Sequence, residues 1–225
     1  MTQPISRRSA AIAGEITRHS PVNAGPPFGA VPVPAPVGKA GWRAHADAVA
    51  RRCPPALRRN HAKMLEEQIC ALVEAIGAAT VALYSPIGAE VDSRPLANAL
   101  LVAGCRLAYP RLLDGDGLME MGAADGPSAL QQRPRSRLME PIGPAVPLSA
   151  IDVCVVPALA VDGGLHRLGR NGGYYDRYLA GRSQDCVVVL VALAQCVVPW
   201  SPVQGHDQAG DLVLTEHGLF SRGAA

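Results

Sequence analysis

Residues 162–177, Asp-Gly-Gly-Leu-His-Arg-Leu-Gly-Arg-Asn-Gly-Gly-Tyr-Tyr-Asp-Arg, are the part of this chain best equipped for chemistry. Glycines let main-chain N–H groups turn toward an oxyanion, and a helix N-terminus adds partial positive charge. Arg167 and Arg170 bring guanidinium forks that match phosphate geometry. Asp176 places a carboxylate beside them, suited to a Mg2+ riding on a polyphosphate. The spacing is neither a G-x-x-x-x-G-K-[ST] phosphate loop nor a G-x-G-x-x-G dinucleotide turn. On composition alone the alternative is a tight glycine turn with solvated arginines.

Such a loop works only if regular elements hold it. The apolar run 151–157 leads into it as a strand, and residues 173–181 leave it as a helix. Upstream, residues 39–52 read as a basic helix. Residues 57–76 read as an amphipathic one, with Leu65, Ile69, Leu72, Val73 and Ile76 at three-four spacing and Gly77 as its stop. A strand is expected at 80–84. A helix follows, capped by Asp92-Ser93, with Pro95 in its first turn, Leu96, Leu100 and Ala103 on its face, and Gly104 at its end. Residues 105–109 return as a strand stopped by Pro110. The stretch 111–150 reads as irregular, with a hairpin near residues 114–117. Strands at 187–193 and 211–215 complete the pattern. Strands alternating with helices predict an α/β fold: a central, mostly parallel, mixed sheet flanked by helices in a single domain. Ligands of such sheets bind beyond the carboxyl ends of the strands. That rule gathers Ser85 to Ser93, Pro110-Arg111 and the 162–176 loop into one neighbourhood.

Composition narrows the function classes. A net charge of +2 and 4% aromatic residues argue against a nucleic-acid partner. The six cysteines, at 53, 70, 105, 154, 186 and 196, form no C-x-x-C pair and sit largely in apolar runs, as in a reducing cytoplasm. No apolar stretch reaches membrane-helix length, and no apolar core follows Arg7-Arg8, so neither a membrane partner nor an export signal is expected. Residues 1–37 are rich in Pro and Ala and read as a tail; residues 38–225 read as the folded domain, expected as a cytoplasmic monomer.

The glycine-arginine segment resembles the signature of the 5-formyltetrahydrofolate cyclo-ligase (5,10-methenyltetrahydrofolate synthetase) family, Pro-Gly-x-x-Phe-Asp-x-x-Gly-x-Arg-Leu-Gly-x-Gly-x-Gly-Tyr-Tyr-Asp-Arg. Pro157, Asp162, Arg167-Leu168-Gly169 and Gly173-Tyr174-Tyr175-Asp176-Arg177 match it. Lys39 and Arg43 resemble the family's N-terminal Lys-x-x-x-Arg. Glu90-Val91-Asp92, Tyr109-Pro110-Arg111, Met139-Glu140-Pro141, His206-Asp207 and Thr215-Glu216 resemble its shorter elements, in order. Four positions depart: Ala158 for Gly, Val161 for Phe, and Leu165 and Asn171 at positions usually glycine. Asn tolerates positive φ; Leu does so poorly.

The resemblance implies ATP-dependent closure of 5-formyltetrahydrofolate to 5,10-methenyltetrahydrofolate, with ATP as co-substrate and Mg2+ as cofactor. It implies Arg167 and Arg170 as catalytic cations. ATP would be held by Lys39, Arg43, Arg167, Leu168, Gly169, Arg170, Asn171, Gly172, Gly173, Tyr174 and Tyr175. Folate would meet Arg43, Glu90 and Tyr174, and Asp176 and Asp207 would hold the metal. Without it, Lys39 and Arg43 read as a solvated basic helix, Asp176 as a cap, Glu90 as a surface acid, and Trp42 and Trp200 as packing. His206 stands between orienting a phosphate and a solvated loop position. Two rivals keep the fold: a non-catalytic nucleotide- or folate-binding paralogue, and an enzyme acting on a phosphorylated sugar or coenzyme A ester.

Overall fold

A computed structural model of the chain describes residues 23–24, 36–115, 117–134, 138–170, 172–198, 205 and 207–221. Asn171, Trp200, His206 and most of the 1–37 tail therefore lie outside the described residues. The helices are α1 (Gly38–Arg52), α2 (Pro55–Ile76), α3 (Arg94–Val102) and α4 (Tyr174–Leu179). The strands are β1 (Asn23–Ala24), β2 (Thr80–Ala82), β3 (Arg106–Leu112), β4 (Met119–Ala123), β5 (Leu130–Gln132), β6 (Met139–Pro141) and β7 (Ala145–Val146), then β8 (Val153–Pro157), β9 (Ala160–Asp162), β10 (Arg167–Leu168), β11 (Val187–Val191), β12 (Val197–Val198), β13 (Leu212–Thr215) and β14 (Gly218–Ser221).

Among the described residues the main sheet has nine strands in the order β1-β14-β13-β11-β8-β2-β3-β4-β7. Its centre, β13-β11-β8-β2-β3, is parallel. β4 and β7 extend one side antiparallel, and β14 turns back antiparallel on β13. The expected α/β class is what forms. Central strands covered on both faces are apolar throughout, as Val187–Val191 is, with every residue buried. Side chains alternate between the faces. Val153, Val155, Val187, Val189 and Val191 join Leu65, Ile69 and Leu72 of α2 and Leu96 and Leu100 of α3 in one core. Cys154, Val156, Val188 and Leu190 join Leu179 of α4 and Leu165 in the other.

Several boundaries differ from the sequence expectation, each for a physical reason. β3 runs through Pro110 to Leu112. Ala108 points its carbonyl at Leu83 N beside β2, so Pro110, two residues on, faces the same side after β2 has ended. Its missing N–H therefore costs no ladder bond. The 111–150 stretch is not irregular: it holds β4 to β7, short strands punctuated by Pro and Gly, with the expected hairpin closed by Leu113 N–H to Leu118 O at 3.0 Å. Ser93 does not cap α3; its hydroxyl donates to Tyr84 O at 2.7 Å, while Asp92 Oδ1 accepts Arg94 N–H at 3.0 Å. The strand at 211–215 is not the last, because β14 follows it.

Inside the glycine segment the chain forms a hairpin, β9–β10, which with β12 makes a second, three-stranded sheet. Asp162 organises its turn: Oδ1 accepts Gly164 N–H and His166 N–H, both at 2.9 Å. That turn holds Leu165 at φ 58°, the one non-glycine residue at positive φ among those described. Its side chain is fully buried in the second core, and its carbonyl accepts Gly210 N–H at 2.8 Å. Trp42 and Ala46 pack α1 on this small sheet, against Leu159, Ala160 and Leu168. β10 runs directly into Gly169–Gly173, so the small sheet and α1 fix where that loop begins.

Candidate active site

Taken in chain order, the five parallel strands lie across the sheet as 2-1-3-4-5, so the direction of winding reverses between β2 and β8. A crevice forms at the carboxyl ends of strands at such a switch point. It is present here as a cleft of about 370 Å³, reached from β2 by Tyr84 and Ser85, from β3 by Pro110 and Leu112, and from β8 by Pro157 and Leu159. Lys39, Arg43, Glu90, Arg167, Leu168, Gly169, Arg170, Gly172, Gly173, Tyr174, Tyr175, Asp176 and Asp207 also line it. Every described residue expected in the site is therefore at one cleft.

The loop turns through Gly172 at φ 82° and Gly173 at φ 60°, conformations that a Cβ would strain. α4, which follows, has only six residues, so its own dipole is short. Fixed cations carry most of the site's positive character. Arg167 is almost fully buried; Nη2 donates to Asp176 Oδ2 at 3.0 Å, and the guanidinium carbon lies 5.2 Å from the centre of the Tyr175 ring. Its Nε, and the Tyr175 hydroxyl, are buried with no hydrogen-bond partner among the described residues. Two unpartnered buried donors at one cleft are what a bound polar ligand would satisfy. Burial pushes the Tyr84 and Tyr175 phenols well above the usual tyrosine range, so both stay neutral donors.

α1 meets the loop along one face. Lys39 Nζ pairs with Asp207, and Arg43 Nε donates to Gly169 O at 2.9 Å. Arg170 is held from three directions: Nε to Glu90 Oε1 at 2.8 Å, Nη2 to Ile87 O at 3.1 Å, and Nη1 to Asp47 Oδ1 at 3.3 Å. Glu90 Oε2 accepts Ile87 N–H at 2.9 Å. Arg177 ties the glycine loop to the β3–β4 turn. Its carbon lies 5.4 Å from the Tyr174 ring centre, and Nη2 donates to Gly172 O at 2.5 Å and to Gly117 O of the β3–β4 turn.

Asp176 and Asp207 adjoin one another, since Gln208 N–H donates to Asp176 Oδ1 at 3.2 Å. Among the described residues no group of three or more His, Cys, Asp or Glu could hold a metal on its own. Two carboxylates lining one cleft would suit Mg2+ that arrives with phosphate oxygens and water, because Mg2+ rarely uses an all-protein cage.

Other matched elements turn out to be structural. Arg111 binds Glu120 through Nε at 2.9 Å and donates to Pro141 O and Gly143 O. Glu140 accepts Leu112 N–H at 3.0 Å and pairs with Arg133. Glu216 accepts Ala194 N–H at 2.9 Å. Trp42 is core, as expected. Sequence reasoning gave no site role to Tyr84, to Pro157, which it matched only as part of the signature, or to the apolar wall of Leu112, Met119 and Leu138. The first two sit at strand ends, where the carboxyl-end rule points; the wall comes from short strands with no periodic signal. The contact of Asp47 with Arg170 was not foreseen either, although Asp47 lies four residues beyond Arg43 on the same face.

The fold and cleft define an α/β protein with a cation-rich crevice at its switch point, between an arginine-bearing loop and an apolar wall. Residues 38–216 match the model of the 5-formyltetrahydrofolate cyclo-ligase family. The chain is 34% identical over 177 residues to 5-formyltetrahydrofolate cyclo-ligase of Mycolicibacterium smegmatis, covering 73% of this chain and 87% of that one. It is 31% identical over 130 residues to the Escherichia coli K12 protein of the same name, covering 49% and 68%. The solved structure of Aquifex aeolicus 5,10-methenyltetrahydrofolate synthetase superposes with a TM-score of 0.71 at 26% identity, over 83% of this chain and 94% of that one. A Mycoplasma pneumoniae 5,10-methenyltetrahydrofolate synthetase shares the fold, with a TM-score of 0.64 at 19% identity over 78% and 97%. The chain belongs to the 5-formyltetrahydrofolate cyclo-ligase family and is an enzyme of the ligase class. No helix among the described residues is long and apolar enough to cross a membrane.

Proposed function

We propose that the domain from residue 38 onward catalyses ATP-dependent cyclisation of 5-formyltetrahydrofolate to 5,10-methenyltetrahydrofolate, releasing ADP and phosphate. The reading rests chiefly on one observation: the buried Arg167 Nε and Tyr175 hydroxyl lack partners at a cleft lined by Lys39, Arg43 and Arg170.

A formamide oxygen is a very poor leaving group. It becomes a good one if it attacks the γ-phosphorus of ATP: the new O–P bond forms, the bond to the β-phosphate oxygen breaks, and ADP departs. The N5 lone pair is then drawn into an iminium phosphate. N10 adds to the formyl carbon and loses its proton to solvent, the C–O bond breaks, and phosphate leaves. The product is the N5–CH–N10 amidinium. Phosphoryl transfer needs positioning and charge stabilisation more than a strong base.

Arg167 and Arg170, with Leu168, Gly169 and the backbone of 171–175, cradle the triphosphate. Lys39 and Arg43 meet its phosphates from α1. Asp176 and Asp207 hold Mg2+, which when bound shields phosphate charge. Glu90 takes the N–H edge of the pterin, and Arg43 and Tyr174 lie beside the folate. The apolar wall of Leu112, Met119 and Leu138 offers the folate ring system a dry surface and keeps water from the activated formyl group. Leu165 does not favour a non-catalytic paralogue: it adopts a left-handed backbone of the kind that glycine takes readily, so the turn keeps its shape.

The test is direct. Purified protein mixed with 5-formyltetrahydrofolate, Mg2+ and ATP should form the methenyl product, followed by its near-ultraviolet absorbance, at a rate that vanishes without ATP. Folded protein that binds ATP and makes no product would overturn the assignment.

A further inference from the structure

Lys39, Arg43 and Asp47 stand at i, i+4 and i+8 of α1; the first two line the cleft, and the third meets Arg170 at its edge. This spacing stacks them on one face beside the buried Trp42 and Ala46. Each meets a different part of the site: Lys39 the Asp207 loop, Arg43 the Gly169 carbonyl, Asp47 the Arg170 guanidinium. The first two are cations facing a phosphate site. The third is a carboxylate, which would repel phosphate and so calls for a separate explanation.

Arg170 supplies it. In this structure Arg170 shares Glu90, whose other oxygen is fixed on Ile87 N–H. On the proposed function, on which this inference rests, the pterin N–H edge competes for that same Glu90 carboxylate. Arg170 then loses its shortest contact just as it is needed at the phosphates. Asp47 Oδ1 and Ile87 O are the acceptors that remain. Asp47 approaches from α1 and Ile87 from the 85–93 loop, so together they keep the guanidinium over the mouth of the loop. A neutral amide at 47 would accept the same hydrogen bond without the charge that offsets Arg170.

We propose that Asp47 is a positioning residue for the ligase reaction, acting through Arg170: it retains that guanidinium at the phosphate loop when Glu90 turns to the folate. Asp47 touches neither substrate. Its effect is modest in size, because both side chains are about one-third exposed, at 34% and 37%.

The experiment is a double-mutant cycle in the full-length protein: Asp47→Asn, Arg170→Ala, both together, and Asp47→Glu. Steady-state rates are measured with ATP and 5-formyltetrahydrofolate varied in turn. Asp47→Asn is expected to lower kcat/KM for ATP by about three- to fivefold. Asp47→Glu should restore most of the loss, and the double variant should be no worse than Arg170→Ala alone. The proposal is overturned if Asp47→Asn equals the parent, or if the two losses multiply. If the parent protein shows no cyclisation, the proposed reaction fails instead. The same four proteins are then compared by calorimetric ATP binding, where additivity or no effect overturns the Asp47 role.

Discussion

Lys39 Nζ lies 2.9 Å and 2.8 Å from the two carboxylate oxygens of Asp207, a residue 168 positions further along the chain. The Asp207 side chain is nearly buried, so this bond joins α1 to the loop before β13 across the mouth of the cleft.

Lys39→Met should therefore act on nucleotide use. A charge-assisted contact to phosphate contributes about 1.5–3 kcal/mol, so KM for ATP should rise at least about tenfold. Asp207→Asn should instead raise the Mg2+ concentration needed for half-maximal rate at fixed ATP. Steady-state kinetics that left both quantities unchanged would remove this pair from the nucleotide site.

Arg167 offers a fork, and the fork matters as well as the charge. Arg167→Lys keeps a cation but loses planar bidentate geometry, and should lower kcat by about a hundredfold. Ser183→Ala, outside the cleft, is the comparison; its hydroxyl accepts Asp185 N–H at 3.1 Å. Equal turnover by the two variants would show that Arg167 is not at the phosphoryl group.

Leu165 poses a contest between backbone strain and burial. Left-handed geometry costs a non-glycine residue about 1–2 kcal/mol. Losing a fully buried leucine costs about 2–5 kcal/mol. Burial wins, so Leu165→Gly should destabilise despite relieving the strain. Leu165→Ala keeps the strain and loses the packing, so it should be worse than Leu165→Gly by about 1 kcal/mol. Urea midpoints of the three proteins measure this order, and its reversal would mean the turn relaxes away from φ 58°.

His61 sits on the core face of α2, fully buried, with Nδ1 3.9 Å from Glu216 Oε2. Burial lowers its pKa from 6.5 to about 4, outweighing the opposing pull of the Glu216 charge. Between those values the unfolded chain binds a proton that the folded protein refuses. This contribution to stability is thus complete above about pH 6.5 and is lost as pH falls toward about 4. Thermal unfolding across that window should show the slope, and His61→Leu should flatten it. An unchanged slope in the variant would place the titrating group elsewhere.

The sequence made some parts of this molecule plain and hid others. The α2 face, from Leu65 to Ile76, and the apolar runs of β8 and β11 were readable because periodicity and composition are local. Arg167, Gly169 and Asp176 were readable because one continuous segment carries them. The β9–β10 hairpin was not: its strands are short and lie among glycines whose composition says loop. β5 to β7 escaped for the same reason. The pairing of Arg170 with Glu90, 80 residues away, and of Lys39 with Asp207 had no local signature. Such bonds exist only once the sheet has brought strand ends together.

The same long-range bonds bear on how the protein is made. α1, carrying Lys39, Arg43 and Asp47, leaves the ribosome well before the partner of Lys39, which is 168 residues further along. β13, which pairs with β11 in the parallel centre, comes later still. A nascent chain that has emerged only through α4 already bears the arginine loop but lacks Asp207 and the strands β11 and β13. The cleft is thereby incomplete until Asp207 and β13 have emerged, and a chain terminated before them would carry the arginine loop without a finished site.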